Sequence, residues 1–246
     1  ALSMSRIIMV RHAQASFSVD PSVAFDNYDQ LSPLGLEQAD ALGDEFVRSG
    51  VVFDHVLVGP AHRHGQTADA VASAYVRNDL IWPDPVNVKQ LEEHSGAQVV
   101  EKALSRPEYV QLRDAIQAPD SDSRQRARAY FAAFRQIMRT WARGELPSGV
   151  AVEESWQAFR ARVERGVDRI VEEAGHGSTV GVFTSGGPIG STVASVLGLD
   201  DEQAMEFAWA VQNTTVTEFV FREDRLSLKS FNAQPRFSSV ELVTYV

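Results

Sequence analysis

Short apolar runs alternate with amphipathic segments along most of this 246-residue chain. Residues 7–10, 53–58 and 179–184 are rich in apolar and β-branched side chains, which is typical of strands buried inside a sheet. Each run is followed by apolar residues at helical spacing. The clearest apolar stripe of the chain lies at 156–170, before the last of these runs. Strands that alternate with helices predict an α/β fold, a three-layer α/β/α sandwich around a mostly parallel sheet.

The sequence shows no division into separate domains. It has no internal repeat and no linker rich in Gly, Pro or Ser, so we expect residues 1–246 to form a single domain. The segment 94–150 interrupts the alternation and is interpreted as a helical insertion, with its clearest helix at about 125–143. Near the end, residues 216–221 and 226–231 predict a β-hairpin.

The charge balance limits the partners that the chain can bind. Its 33 acidic and 23 basic residues give a formal charge of −10, which argues against binding to nucleic acid or to an anionic membrane. An anionic small-molecule substrate would therefore need a local cluster of cations. No sequence pattern indicates an oligomeric state.

The residue types that are missing exclude several kinds of chemistry. The chain has no cysteine, so disulfides, thiolate catalysis and cysteine-based zinc sites are excluded. Nucleotide-binding glycine patterns and zinc-enzyme histidine patterns are also absent from the sequence, and we expect neither a cofactor nor a metal. No apolar run approaches the roughly 18 residues that span a bilayer, and the first residues do not resemble a signal peptide. We expect a cytoplasmic protein.

Residues suited to phosphate binding follow three of the predicted strands. Arg11 and His12 come after the first strand, Arg63 after the second, and Ser185 with Gly186 after the strand at 179–184. Ligands of doubly wound sheets bind at the carboxyl ends of the strands, so we expect these residues to lie together. Guanidinium groups and the amides of a helix N-terminus match the oxygens of a tetrahedral dianion. The sequence therefore predicts a phosphate site at this edge.

Five segments resemble, in order, the motifs of the histidine phosphatase superfamily, the phosphoglycerate mutase-like proteins. They are 10–14 (VRHAQ), 31–39 (LSPLGLEQA), 60–68 (PAHRHGQTA), 91–93 (LEE) and 183–187 (FTSGG). The first is similar to the family's Arg-His-Gly-Glu signature, and the third to the segment that carries its second arginine. The resemblance extends from Arg6 to Gly187 and implies a phosphoglycerate mutase-like fold.

The resemblance also implies a metal-independent phosphatase that hydrolyses small phosphomonoesters through a phosphohistidine on His12. Arg11 and Arg63 would hold the phosphoryl oxygens and supply the positive charge that a metal ion supplies elsewhere. Glu93 would protonate the leaving oxygen, and its neighbour Glu92 is the alternative acid. This mechanism requires that Arg11, His12 and Arg63 converge and that the imidazole be reachable from solvent.

Four further residues are expected to contact the phosphoryl group: Gln14, Ser18, Ser185 and Gly186. Ser185 is the main departure from the family, because it stands where the family has a second histidine, and a hydroxyl carries no positive charge. Gly59 likewise replaces the family's serine before proline. His62, His64 and His94 lie near motif residues, but we do not expect them to supply the missing imidazole. The first two are only two positions apart, which places them on different faces of a helix.

Two alternative functions remain open. A mutase would also form a phosphohistidine but would return the phosphoryl group to a bound intermediate, and the arginines of the insertion show no pattern suited to that. A phosphate-binding regulatory protein with decayed catalysis is the second, and Ser185 suggests it. A serine hydrolase at Ser185 is excluded, because its elbow needs glycine where Phe183 stands and a histidine later in the chain, whereas the last histidine is His176.

Overall fold

The computed structural model describes residues 4–16, 28–119, 121–223, 225–236 and 242–244. Six strands in these ranges form one sheet: β1 (Ser5–Arg11), β2 (His55–Val58), β3 (Val86–Asn87), β4 (Thr179–Thr184), β5 (Val216–Arg222) and β6 (Arg225–Ala233). Their order across the sheet is β3-β2-β4-β1-β5-β6. The first four strands in this order are parallel, whereas β5 pairs in antiparallel fashion with both β1 and β6. The predicted mostly parallel sheet is therefore confirmed, and the hairpin forms as expected.

Eight α-helices are found among the described residues: α1 (Pro33–Arg48), α2 (His62–Arg77), α3 (Gly96–Leu104), α4 (Val110–Ile116), α5 (Ser123–Ala142), α6 (Trp156–Glu173), α7 (Gly186–Leu197) and α8 (Asp201–Ala210). Helices α3, α4 and α5 lie within the segment 94–150, which was predicted to be helical. Across the described part of the chain, no helix has the length and apolar character needed to cross a membrane.

Strand β1 shows why the fold has three layers. Alternate side chains of a strand point to opposite faces of the sheet, and here both faces are buried. Ile7 and Met9 belong to a large apolar cluster that includes the buried stripe of α6, whereas Ile8 and Val10 pack with residues of α1 and α2. Helices therefore cover both faces, and the predicted α/β/α sandwich is confirmed.

Local sequence signals account for where α1 and α6 begin. The Ser32 hydroxyl accepts a hydrogen bond from the Gly35 amide at 3.0 Å, and Pro33 occupies the first turn of α1. Ser155 caps α6 in the same way, and the predicted stripe of that helix is buried. The stripe was predicted from the sequence because it depends on neighbours within a few positions.

Helix α8 was not predicted, and its packing explains why. Its buried residues are Ala204, Met205 and Ala208, too few and too small to give a strong apolar period. It is held instead by close approach to α7, where a Cβ atom added at Gly190 would lie 2.6 Å from the Ala208 Cα atom. The absence of a side chain at Gly190 therefore sets the distance between the two helices.

We expect Gly190→Ala to destabilise the protein by about 1–3 kcal/mol, because the new methyl group would push α8 away from α7. Gly65→Ala in α2 is the matched control, since a Cβ atom there meets no heavy atom within 4 Å. That change should stabilise the helix by about 0.5–1 kcal/mol. Urea unfolding measures both free energies, and equal effects of the two substitutions would contradict this account of α8.

Candidate active site

The parallel pairing of β1 with β4 brings the predicted strand-end residues together. Arg11 lies opposite Thr184, and the His12 amide donates to the Thr184 carbonyl at 2.8 Å, one residue beyond the paired strands. On the other side of β4, the Gly59 amide donates to the Phe183 carbonyl at 2.9 Å. The segments that follow β1, β2 and β4 therefore meet at one edge of the sheet.

The imidazole of His12 is held in one tautomer. Its Nδ1 atom lies 2.8 Å from the carbonyl oxygen of Ala13, and because a carbonyl only accepts, Nδ1 carries the proton. Burial and the charges of Arg11 and Arg63 hold the pKa of His12 well below its ordinary value. The ring is therefore neutral, and its Nε2 atom carries the lone pair that a nucleophile needs.

Two residues outside the first motif fix the backbone around His12. The amide group of Asn213 donates to the His12 carbonyl at 3.0 Å. The Thr67 hydroxyl accepts from the Ala13 amide at 3.0 Å and donates to the Arg63 carbonyl at 2.7 Å, so it joins the nucleophile loop to α2. Neither residue was predicted, because Asn213 lies beyond the last motif and Thr67 reads as an ordinary helix residue.

The two arginines contact different groups around the site. The Arg11 guanidinium donates to the Val211 carbonyl, and that of Arg63 approaches the Ser185 hydroxyl at 3.5 Å. Arg63 also forms an ion pair with Asp29, with Nη1 and Oδ1 3.0 Å apart. The charges of both guanidinium groups act on His12, so both lie near its imidazole, as the mechanism requires.

Ser185 and His64 form a close pair beside the nucleophile. The Nε2 atom of His64 lies 2.6 Å from the Ser185 hydroxyl oxygen, and the His64 and His12 ring centroids are 5.8 Å apart. His62 is exposed, as its position two residues away predicts. We did not expect His64 to reach Ser185, so the second imidazole in the site is a finding of the structure.

Glu93 enters the site from the segment after β3. Its carboxylate accepts hydrogen bonds from the His94 amide at 2.9 Å and the Gly187 amide at 3.1 Å. Burial alone would raise its pKa, but nearby His94 and the two amide hydrogen bonds outweigh that effect and leave the pKa of Glu93 below its ordinary value. Glu92 is exposed, so the geometry favours Glu93 as the acidic residue.

The remaining predicted contacts have different placements. The side-chain oxygen of Gln14 accepts from the Ser32 hydroxyl at 2.8 Å, which ties this side chain to the start of α1. Gly186 begins α7 beside Arg11, whereas Ser18 lies outside the described residues. Among the residues that the structure describes, no group of three or more His, Asp or Glu side chains is arranged to hold a metal ion.

Comparison with known families identifies the family of this chain. The sequence profile of the histidine phosphatase superfamily (branch 1) matches residues 7–98 and 117–234, which include the segments after β1, β2 and β4. The chain belongs to this superfamily. A search among curated protein sequences returned no match.

Solved structures of similar fold include proteins described as phosphatases and as a mutase. A mycobacterial glucosyl-3-phosphoglycerate phosphatase is 22% identical with a TM-score of 0.59, covering 94% of this chain and 100% of its own. The phosphoglycerate mutase of Bacillus anthracis is 18% identical with a TM-score of 0.58, covering 94% of each chain. The alpha-ribazole phosphatase of Shigella flexneri is 19% identical with a TM-score of 0.56, covering 93% and 96%. These similarities establish the phosphoglycerate mutase-like fold.

The site of this histidine phosphatase superfamily member is closed. Only 1% of His12 is exposed, so the expectation that its imidazole is reachable from solvent is not met in this structure. Tyr28 contacts the ring edge to face, with centroids 6.0 Å apart, and stacks over the Arg63 guanidinium at 4.9 Å. The Asp29 carboxylate is paired with the same guanidinium group. Asp29 therefore competes with a phosphate group for Nη1 of Arg63.

We expect Asp29→Asn to tighten the binding of inorganic phosphate by about two- to fivefold, because the substitution removes an anion that competes for Arg63. The expected change is this small because a partly exposed ion pair contributes little free energy. Asp40→Asn is the control, since Asp40 forms a similar exposed ion pair with Arg77 away from the site. Isothermal titration calorimetry measures the dissociation constants, and weaker phosphate binding in Asp29→Asn would argue against competition.

Proposed function

We propose that this protein is a phosphatase that hydrolyses small phosphomonoesters through a phosphohistidine on His12, without a metal ion. The observation that carries the proposal is the neutral imidazole of His12, whose Nδ1 proton is bound by the Ala13 carbonyl and whose ring lies near the charges of Arg11 and Arg63. This tautomer directs the Nε2 lone pair to the phosphorus atom. Phosphatases and a mutase among the proteins of similar fold support the same class of chemistry.

The reaction divides into two displacements at phosphorus. In the first, the Nε2 atom of His12 bonds to phosphorus as the bond to the ester oxygen breaks. In the second, water attacks phosphorus and the bond to Nε2 breaks, which releases phosphate and restores the imidazole. Arg11 and Arg63 balance the negative charge on the phosphoryl oxygens in both steps.

Glu93 supplies and removes the proton that these steps require. Its lowered pKa means that the empty site holds a carboxylate at neutral pH. The negative charge of a bound phosphomonoester raises the proton affinity of that carboxylate, so it takes up a proton and then gives it to the leaving oxygen. The resulting carboxylate accepts a proton from the attacking water in the second step.

The insertion favours a phosphatase over a mutase. A mutase needs cations that hold the rest of its substrate, and the arginines of the segment 94–150 show no sequence pattern suited to this. Two of them are used within the insertion, because Arg113 donates to the Leu104 carbonyl at 3.0 Å and Arg126 to the Ser121 carbonyl at 3.1 Å. The fixed tautomer of His12 argues against the second alternative, a regulatory protein with a decayed site.

The first test replaces the nucleophile. We expect the protein to release phosphate from a panel of phosphomonoesters in the presence of EDTA, and His12→Ala to lower turnover at least about a thousandfold. His55→Ala, at the exposed start of β2, should leave turnover unchanged. Isomerisation of a phosphoglycerate without phosphate release would identify a mutase. Binding without either reaction would support a regulatory protein.

The second test concerns the leaving group. Glu93→Gln should lower kcat/KM about 10²- to 10³-fold for an alkyl phosphate, because an alkoxide needs a proton as it departs. For p-nitrophenyl phosphate, whose leaving group is stable without a proton, the decrease should stay below about tenfold. Glu92→Gln is the matched control at the exposed neighbouring position. Equal losses for the two substrates would show that Glu93 is not the proton donor.

A further inference from the structure

His64 is a buried imidazole that the proposed mechanism has not used. Its exposed fraction is 0%, and its Nε2 atom contacts the Ser185 hydroxyl rather than a backbone group. A buried imidazole whose Nε2 atom contacts only a side-chain hydroxyl needs a reason, because its desolvation is costly. Its neighbours are the groups that would surround a phosphoryl group: His12, Arg63 and Ser185.

Gly59 makes the space that this ring occupies. A Cβ atom at Gly59 would collide with Nδ1 of His64 and would lie 2.9 Å from its Cε1 atom and from the Leu91 carbonyl oxygen. Gly59 does not have a positive φ angle, so backbone conformation does not require glycine there. The glycine is therefore explained by the space that the His64 ring needs. Gly59 leaves room for the ring, and the ring contacts Ser185.

The hydrogen bond between His64 and Ser185 can direct the Ser185 proton. A hydroxyl has a single proton, and it can donate to a phosphoryl oxygen only if its contact with His64 is one that it accepts. Burial, followed by the charge of Arg63, lowers the pKa of His64 to about 3, so the ring is neutral in the empty site. A bound dianion favours protonation of His64, and the protonated ring donates from Nε2 to Ser185 while its other N–H faces the Gly59 backbone, which leaves the hydroxyl proton for the anion.

We infer that His64 is a positioning residue that acts through Ser185, and that together they form a hydrogen-bond donor to the phosphoryl oxygens beside Arg63. The imidazole that the family places after β4 is then supplied from α2. This inference rests on the proposed phosphatase activity and adds to it a residue that the motif comparison does not assign. The bound dianion also favours protonation of His64, which adds positive charge where the transition state needs it.

The test compares variants at His64 with a control on the same helix. We expect His64→Ala to lower kcat about 10²-fold, the usual loss for one donor to a developing anion, while KM stays within about threefold. His64→Gln should recover part of that loss, since an amide can donate to Ser185. His62→Ala, at an exposed position, should keep wild-type kcat. Circular dichroism melting establishes that each variant is folded.

Moving the imidazole from position 64 to position 185 tests whether His64 acts as part of the hydrogen-bond donor or only through packing. His64→Ala leaves space beside Ser185. Adding Ser185→His fills that space with an imidazole carried by residue 185. The double variant should regain at least about tenfold in kcat over His64→Ala. Ser185→His alone should lower kcat, because the two rings would compete for one volume.

Three results overturn the inference. If His64→Ala retains more than about a third of wild-type kcat while His12→Ala is inactive, the role of His64 is wrong and the proposed function stands. If the double variant is folded but no better than His64→Ala, His64 acts through packing. If the wild-type protein hydrolyses no phosphomonoester, both the proposed function and the role of His64 fail.

Discussion

The register between β1 and β4 is the constraint on which the site depends. Arg11 lies opposite Thr184. The residues that follow the two strands, His12 and Ser185, therefore lie at the same level along the edge of the sheet. The Thr184 hydroxyl donates to the Leu91 carbonyl at 2.7 Å, which draws the segment with Glu93 to the same edge. A shift of one residue would turn the side chains of β1 to the opposite face and separate the nucleophile from the other groups.

A buried cluster of cationic side chains has to be stable before any anion arrives. The structure meets this requirement by keeping both imidazoles neutral and by giving each guanidinium an acceptor, the Val211 carbonyl for Arg11 and Asp29 for Arg63. Each of these acceptors is weaker than a phosphate dianion, which offers several charged oxygens to the same donors. A chain with a net charge of −10 can therefore bind an anionic substrate through this local arrangement.

The strand ends and the residues on them were predictable from the sequence, because apolar runs and caps depend on near neighbours. Arg11, His12, Arg63 and Glu93 followed from motifs whose spacing reflects those strand ends. Asn213 was not predictable, since its contact with the His12 carbonyl joins residues 201 positions apart. Thr214 beside it has a φ angle of 57°, a strained conformation for a β-branched residue that no local pattern reveals.

The pairing of His64 with Ser185 shows the limit of interpreting one position by itself. By sequence, Ser185 is a missing imidazole, and His64 is one of three nearby histidines with no assigned direction. Their contact, across 121 positions, depends on how α2 is rotated against the start of α7, and that rotation is set by the apolar residues of α2 packed under the sheet. With α2 in place, His64 points inward and fills the volume that Gly59 leaves open. The site therefore contains two imidazoles although the motif accounts for one, and the serine is part of an altered arrangement of donors rather than a simple loss.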